Sequence, residues 1–268
     1  MTEASTPTAS ACVIARDEEH TVAGVVEPLV ALRDHGLLER VLVVDLGSSD
    51  ATAGAAVAAG AELLVAAAVR PELGPLLGKG DAIWRAAQVV HDDVLVLLDG
   101  DLRCDLKAGV PLLLEPLAAD PGLVLVKGHF RRVDAEGEPT GGGRVTEITA
   151  RPLLSLLLPE LTVLHEPLSG QVAVRRDQLE QLDVVTGWGV EIGMLLDVVD
   201  RWGLAAVAEV DLGVIEHDPP TTEALNVMAT DVMATLLSRA ARAGAPLTPE
   251  QHASVRAHLP LERGRLKP

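Results

Sequence analysis

Apolar positions in this chain come in short continuous runs separated by stretches of helical periodicity. ACVIA (11–15), VLVVD (41–45), ELLVA (62–66), VLVLL (94–98) and LVLVKG (123–128) are such runs. Their length and β-branched content fit strands buried on both faces of a sheet. Between the first two, Val22, Val25, Val26, Leu29 and Leu32 recur at helical spacing after RDEEHT. Asp17, Glu18 and Glu19 stand where a first turn favours negative charge, and HG (35–36) ends the pattern. An Ala-rich helix is predicted over 51–60, capped by Ser48, Ser49 or Asp50. The Pro/Gly-rich RPELGPLLGKGD reads as a loop, and AIWRAAQVV (82–90) as a helix. Strand alternating with helix in this rhythm predicts parallel βαβ units: an α/β fold with a mostly parallel central sheet and helices on both faces.

The second half is less regular. A Leu- and Pro-rich helix is expected over 107–118 and another helix over 145–158. PLSGQVAVRR (167–176) reads as a strand or hairpin. An amphipathic helix over 190–203 is closed by Gly203, a strand over 205–217 ends at His217, and a long helix covers 223–244. On that last helix Val227, Met228, Val232, Met233 and Leu236 would suit one face of a partner helix. Residues 1–10 read as a disordered lead, 11–244 as a single domain, and the Pro- and charge-rich 245–268 as a peripheral tail.

Composition narrows the function classes. The formal net charge of −17 over 268 residues argues against a nucleic-acid binder, which needs basic patches for phosphates. One Phe, three Trp and no Tyr leave no aromatic platform for stacking bases. Charged residues interrupt every apolar run short of a membrane span. The first residues lack a basic signal-peptide region, and Cys12 and Cys104 form no disulfide framework. A cytoplasmic protein with reduced thiols is expected.

The candidate chemistry gathers at predicted strand ends, where open α/β sheets bind ligands. Asp99-Gly100-Asp101 follows a buried strand. It is either a polar turn or a site for Mg²⁺ or Mn²⁺, which take carboxylate and phosphate oxygens. Gly100 would let a ligand approach the backbone. Asp45 and GSSD (47–50) cap a helix, and a helix N-terminus also offers N–H groups to a nucleotide. Lys79 between Gly78 and Gly80 is a solvated loop lysine or a phosphate contact; the spacing does not fit a P-loop. Gly141-Gly142-Gly143-Arg144-Val145-Thr146 is a mobile loop with a capping Thr, or an anion cradle. Glu191 after Gly187-Trp188-Gly189 either suits a helix dipole or bonds sugar hydroxyls, and His217 is a surface histidine or a metal ligand.

Taken together, VVDLGSSDAT, GKGDAIWR, LLDGDL, TGGGRVTEITARPLL, PLSGQVAVRR, GWGVEIGMLLD and LGVIEH, in this order over about 13–243, resemble the glucosyl-3-phosphoglycerate synthases, retaining glycosyltransferases of the GT-A fold. The resemblance implies a metal-dependent glucosyltransferase moving glucose from UDP-glucose to a hydroxyl of a small polar acceptor, by default 3-phosphoglycerate. It divides the domain into a nucleotide-binding half (11–104) and an acceptor-binding half (105–244). It implies Mg²⁺ or Mn²⁺ on Asp101 and His217. Asp99 and Gly100 would face the donor's ribose or glucose, and Lys79 and Ser48, beside Asp45, would contact the diphosphate. Glu19 would contact uridine. Glu191, with the backbone at Trp188 and Gly189, would hold glucose, and Gly143, Arg144 and Thr146 would hold the acceptor's phosphate or carboxylate. Lys79 stabilises the leaving group in such a mechanism; an inverting course would need a base, Asp218 or Glu191. A homodimer is also implied. The chain departs from the family at Arg16-Asp17, Trp188 and Asp218-Pro219, where Leu-Asn, Tyr and Arg-Asn are usual. A carboxylate and a ring without N–H in place of Arg-Asn disfavour an anionic acceptor. A nucleoside or other specialised metabolite is therefore an alternative acceptor, and a non-catalytic nucleotide-sugar-binding protein an alternative role.

Overall fold

A computed structural model of the chain describes residues 7–134, 136–140, 143–216 and 221–242. Among them seven strands form one sheet in the order β3-β2-β1-β4-β6-β5-β7. These are β1 (Ala9–Ala15), β2 (Arg40–Asp45), β3 (Glu62–Val65), β4 (Val94–Asp99), β5 (Leu125–Val133), β6 (Val172–Arg175) and β7 (Val207–Glu216). β6 runs antiparallel to both β4 and β5, and every other pairing is parallel.

Alternate residues of each strand feed two apolar layers. Cys12, Ile14, Leu42, Val44, Leu95, Leu97, Leu125 and Val172 face one side. There they meet α3 (Lys79–Ala87), α5 (Arg151–Leu157), α7 (Val190–Trp202) and α8 (Thr222–Arg242). Val13, Val43, Val96, Leu98 and Val126 face the other. That side is covered by α1 (Val22–Asp34), α2 (Thr52–Ala58) and α4 (Leu106–Ala119). Both faces of β1, β2 and β4 are thus buried, which is why these strands read as continuous apolar runs, whereas the edge strand β3 leaves Leu63 and Val65 exposed. The four-residue α6 (Arg176–Leu179) follows β6 directly.

Several expectations are corrected. Asp17, Glu18 and Glu19 are not in the first turn of α1, which begins at Val22. They form the preceding loop, because their backbone and carboxylates are taken by the start of α2: Ser49 N–H donates to Asp17 Oδ1 and Ala51 N–H to Glu19 Oε2. Helix α3 starts at Lys79, inside the stretch read as loop, since Gly80 and Asp81 N–H donate to Thr186 O at 3.0 and 3.3 Å. That docking overrides the poor helix propensity of Gly80. Thr146–Ala150 winds as a π-helix before α5. On α8, Val232 and Leu236 are buried in the chain's own core and Met228 packs against it, so only Val227 and Met233 stay exposed on the face expected to meet a partner helix. No helix of the described residues is long and apolar enough to cross a membrane.

Candidate active site

β1, β2 and β4 end in register, with Ala15 beside Asp45 and Ile14 beside Asp99. Asp45 spends its carboxylate on its own loop. Ser48 N–H and Oγ–H donate to Oδ1 at 3.1 and 2.5 Å, and Gly47 N–H donates to Oδ2 at 3.2 Å. Ser48 Oγ in turn accepts from Asp17 N–H at 3.0 Å. Asp17 has φ 57, a left-handed conformation that Asp tolerates better than most residues. Asp45 therefore shapes the loop on which Ser48 is presented. Gly100 donates to Ile14 O, and a Cβ there would stand 2.9 Å from Ala15 Cβ. β1 thus already requires a glycine within the DGD turn.

The charged centre lies on the α3/α7 face. Lys79 Nζ sits 2.5 Å from Asp99 Oδ1 and 2.6 Å from Glu191 Oε1, and only 9% of its side chain is exposed. Burial alone would depress this lysine, but the carboxylates of Asp99 and Glu191 outweigh it and hold the ammonium well above the usual range. Lys79 is placed by close backbone packing: a Cβ on Gly80 would meet Val185 O at 1.7 Å. The next turn is fixed by a fully buried ion pair, Arg85 Nε to Asp81 Oδ1 at 3.2 Å. Arg85 also donates to the carbonyls of Val69 and Gly74, pinning the preceding loop. Glu191 opens α7, whose start rests on α8. There Trp188 N–H donates to Asp231 Oδ2, and a Cβ on Gly189 would lie 2.1 Å from Thr235 Oγ1.

The segment 165–171 bridges the two halves of the molecule. Gln171 Nε2 donates to Asp99 Oδ2 at 2.8 Å. Gly170 lies so near that a Cβ would stand 2.7 Å from Asp99 Oδ2 and 3.0 Å from Lys79 Nζ. Ser169 O accepts from the buried Lys127 Nζ at 2.9 Å. Glu166 pairs with Arg132 at 2.5 Å, and its N–H donates to Glu209. Arg132 Nη2 lies beside Gly143, 3.2 Å from where a Cβ would be, and Thr146 Oγ1 lies equally near. Thr146 is buried and Arg144 exposed, and Gly143 lies against an arginine already paired with a carboxylate.

Among the described residues no three His, Cys, Asp or Glu side chains converge as a ready-made metal cage. Glu18 nonetheless registers a concentration of negative charge. Burial raises its pKa, and the carboxylates of Asp101, Asp50 and Asp99 raise it further. One or two carboxylate oxygens facing an incoming diphosphate suit Mg²⁺ or Mn²⁺, which take their remaining ligands from phosphate and water. The donor set therefore fits a hard divalent cation.

The structure brings Lys79, Asp99 and Glu191 into direct contact, and places Asp45 at the end of β2 and Glu19 and Ser48 in the loops beyond β1 and β2. His217, Asp218, Gly141, Gly142 and the tail 245–268 lie outside the described residues. Sequence reasoning passed over Glu18, Gln171, Lys127, Arg132 and Glu166. Lys127 carried a signal, a lone charge at the end of the apolar run LVLV. Arg132 and Glu166, 34 positions apart, carried none.

No protein-family model matches the chain. The glucosyl-3-phosphoglycerate synthase of Mycolicibacterium smegmatis is 44% identical over 236 residues, covering 87% of this chain and 77% of that protein. That of Mycobacterium tuberculosis is 42% identical over 238 residues, covering 87% and 73%. The crystal structure of the M. tuberculosis synthase with Mn²⁺, UDP-glucose and phosphoglyceric acid superposes with a TM-score of 0.81 at 41% identity, over 90% of this chain and 82% of that one. The fold is accordingly that of a GT-A glycosyltransferase. With this agreement along the greater part of both chains, the protein belongs to the glucosyl-3-phosphoglycerate synthase family.

Proposed function

We propose that this protein transfers glucose from UDP-glucose to a hydroxyl of a small polar acceptor with the help of Mg²⁺ or Mn²⁺, 3-phosphoglycerate being the acceptor named for its relatives. The observation that carries this reading is the buried Lys79 ammonium held between Asp99 and Glu191 beyond the strand ends. An arriving diphosphate competes for that ammonium and frees a carboxylate to bond donor hydroxyls. In this reading Asp99 and Glu191 hold the ribose and glucose, with Gly100 and Gly189 shaping the walls beside them. Lys79 and Ser48 take the diphosphate, Glu19 meets uridine beside Asp45, and Asp101 with His217 holds the cation. The cation supplies positive charge to the departing diphosphate. Gly143, Arg144 and Thr146 receive the acceptor. Asp218 or Glu191 would serve as base if the course is inverting.

The partners implied are the two small-molecule substrates and a second copy of this chain, not nucleic acid or membrane. The net charge of −17 supports the former exclusion, and exposed Ile148, Leu156 and Val163 offer apolar surface for the copy. The test is UDP release with UDP-glucose, Mg²⁺ and an acceptor panel, with product mass read out. We expect Asp101→Ala to lose metal-dependent transfer by at least about 100-fold; full activity in that variant would sink the metal assignment.

One observation favours a second reading of the acceptor. The Arg132 guanidinium beside Gly143 is already neutralised by Glu166, which weakens the pull on an anion. A less charged acceptor, such as a nucleoside, belongs in the same panel. Turnover only with that acceptor would place the change of specificity in the acceptor half.

A further inference from the structure

Lys127 is the one of the two buried lysines around this site that the donor chemistry above does not use. It lies on β5 with 1% of its surface exposed, on the same face as Leu125 and the site. Its neighbours in register are Val172 on β6 and Glu209 on β7. The charged groups facing it are Glu191 from α7, Glu209 from β7, Glu166 from the segment before β6, and Lys79 from α3. An ammonium is expensive to bury, and an apolar side chain at the same place would pack against Val172 at no such cost. Its hydrogen bond to Ser169 O falls midway along the bridging segment, one residue before Gly170 and two before Gln171, which set the position of Asp99.

We propose that Lys127 is a positioning residue for the glucosyl transfer. Its charged ammonium anchors the Ser169–Gln171 turn and, through Gly170 and Gln171, holds Asp99 and Lys79 where the donor's diphosphate must be received. The proposal rests on the donor reading given above. Deprotonation would weaken the bond to Ser169 O from charge-assisted to neutral. It would also leave Glu191 facing one cation instead of two.

Burial depresses Lys127; Glu191, Glu209 and Glu166 partly restore it, Lys79 opposes them, and the net value is about 8. The ammonium is thus present at pH 7 and lost as pH rises through that value. The pH dependence of kcat/KM reports the free enzyme, whereas that of kcat reports the loaded one. An alkaline limb near pH 8 is expected in kcat/KM for UDP-glucose. In kcat it should move to higher pH, because bound diphosphate favours the charged lysine.

The experiment is the pH profile from 6.5 to 9.5 of wild type, Lys127→Met and Lys127→Arg, alongside calorimetry of UDP with Mg²⁺ at pH 7 and pH 9. Lys127→Met should lose at least tenfold in kcat/KM at pH 7 and show no limb near 8. Lys127→Arg, whose charge does not titrate in this range, should stay within a few fold at pH 7 and also lose the limb. Wild-type affinity for UDP should fall about tenfold between pH 7 and pH 9. A flat wild-type profile, or a limb that survives in Lys127→Met, overturns the proposal. If neither variant folds, the wild-type profile and calorimetry decide alone. Binding of UDP without transfer at any pH would instead defeat the glucosyltransferase reading, with Lys127 still judged by the pH dependence of binding. No UDP binding at either pH overturns both.

Discussion

A single methyl group at position 170 would reach both charges on which donor binding turns. Added to Gly170, it would lie 2.7 Å from Asp99 Oδ2 and 3.0 Å from Lys79 Nζ, well inside van der Waals contact. The atoms it meets are side-chain ends that can swing away, so the fold survives while the geometry of the site does not. Gly170→Ala should therefore lower kcat/KM for UDP-glucose by about 100-fold, as misplacements near 1 Å do. The melting temperature should move only a few degrees. UDP release and thermal denaturation check this together; near wild-type turnover would mean that Asp99 need not stand where Gln171 holds it. The same scale shows what was legible in the sequence. Lys79, Asp99 and Glu191 were visible because glycine-flanked or strand-end charges stand out in a line of letters. Gln171 was not, because a neutral amide becomes informative only when its partner, Asp99, is known to lie 2.8 Å away across 72 residues.

The start of α3 shows both how far periodicity reads and where it stops. AIWRAAQVV announced a helix, yet the helix begins three residues earlier, at Lys79. Gly78 has φ +106, and Gly80 leaves room for Val185 O. The glycines that looked like loop residues are what allow α3 to dock, and docking carries Lys79 into the site. β1, β2 and β4 read well because both their faces are buried and their apolar runs are unbroken. The reversed strand β6 resisted a single reading because only four residues pair, Val172–Arg175, between two turn-rich stretches. Asp81 and Arg85 hold this element to its loop, both fully buried. Arg85→Met removes the charge paired with the buried Asp81 carboxylate and takes the Arg85 donor from the carbonyls of Val69 and Gly74. Breaking a buried pair in this way costs about 3–5 kcal/mol. Urea denaturation of Arg85→Met should show a loss in that range. A loss below about 1 kcal/mol would mean that solvent or neighbouring groups take over the role of Arg85.

Across the whole molecule, stability and activity draw on Lys127 with opposite signs. A two-layered core over one sheet hides the ammonium from water, and the carboxylates around it restore only part of what hydration provided. Its folded pKa of about 8 lies below the ordinary lysine value of 10.5. Between those limits the unfolded chain binds a proton that the native state has released, so the free energy of unfolding rises with pH. The contribution is fully present above the unfolded value and is lost as pH falls through about 8. Its full size is about 3 kcal/mol, at 1.36 kcal/mol for each unit of pKa difference. Donor affinity should weaken over the lower part of the same window, as the positioning charge disappears. The stability of wild type relative to Lys127→Met, followed by urea denaturation from pH 7 to pH 10.5, should therefore shift by about 3 kcal/mol in favour of wild type. A difference that stays constant with pH would mean that Lys127 binds its proton equally well folded and unfolded. The site would then gain nothing, and the core would lose nothing, from the burial of that charge.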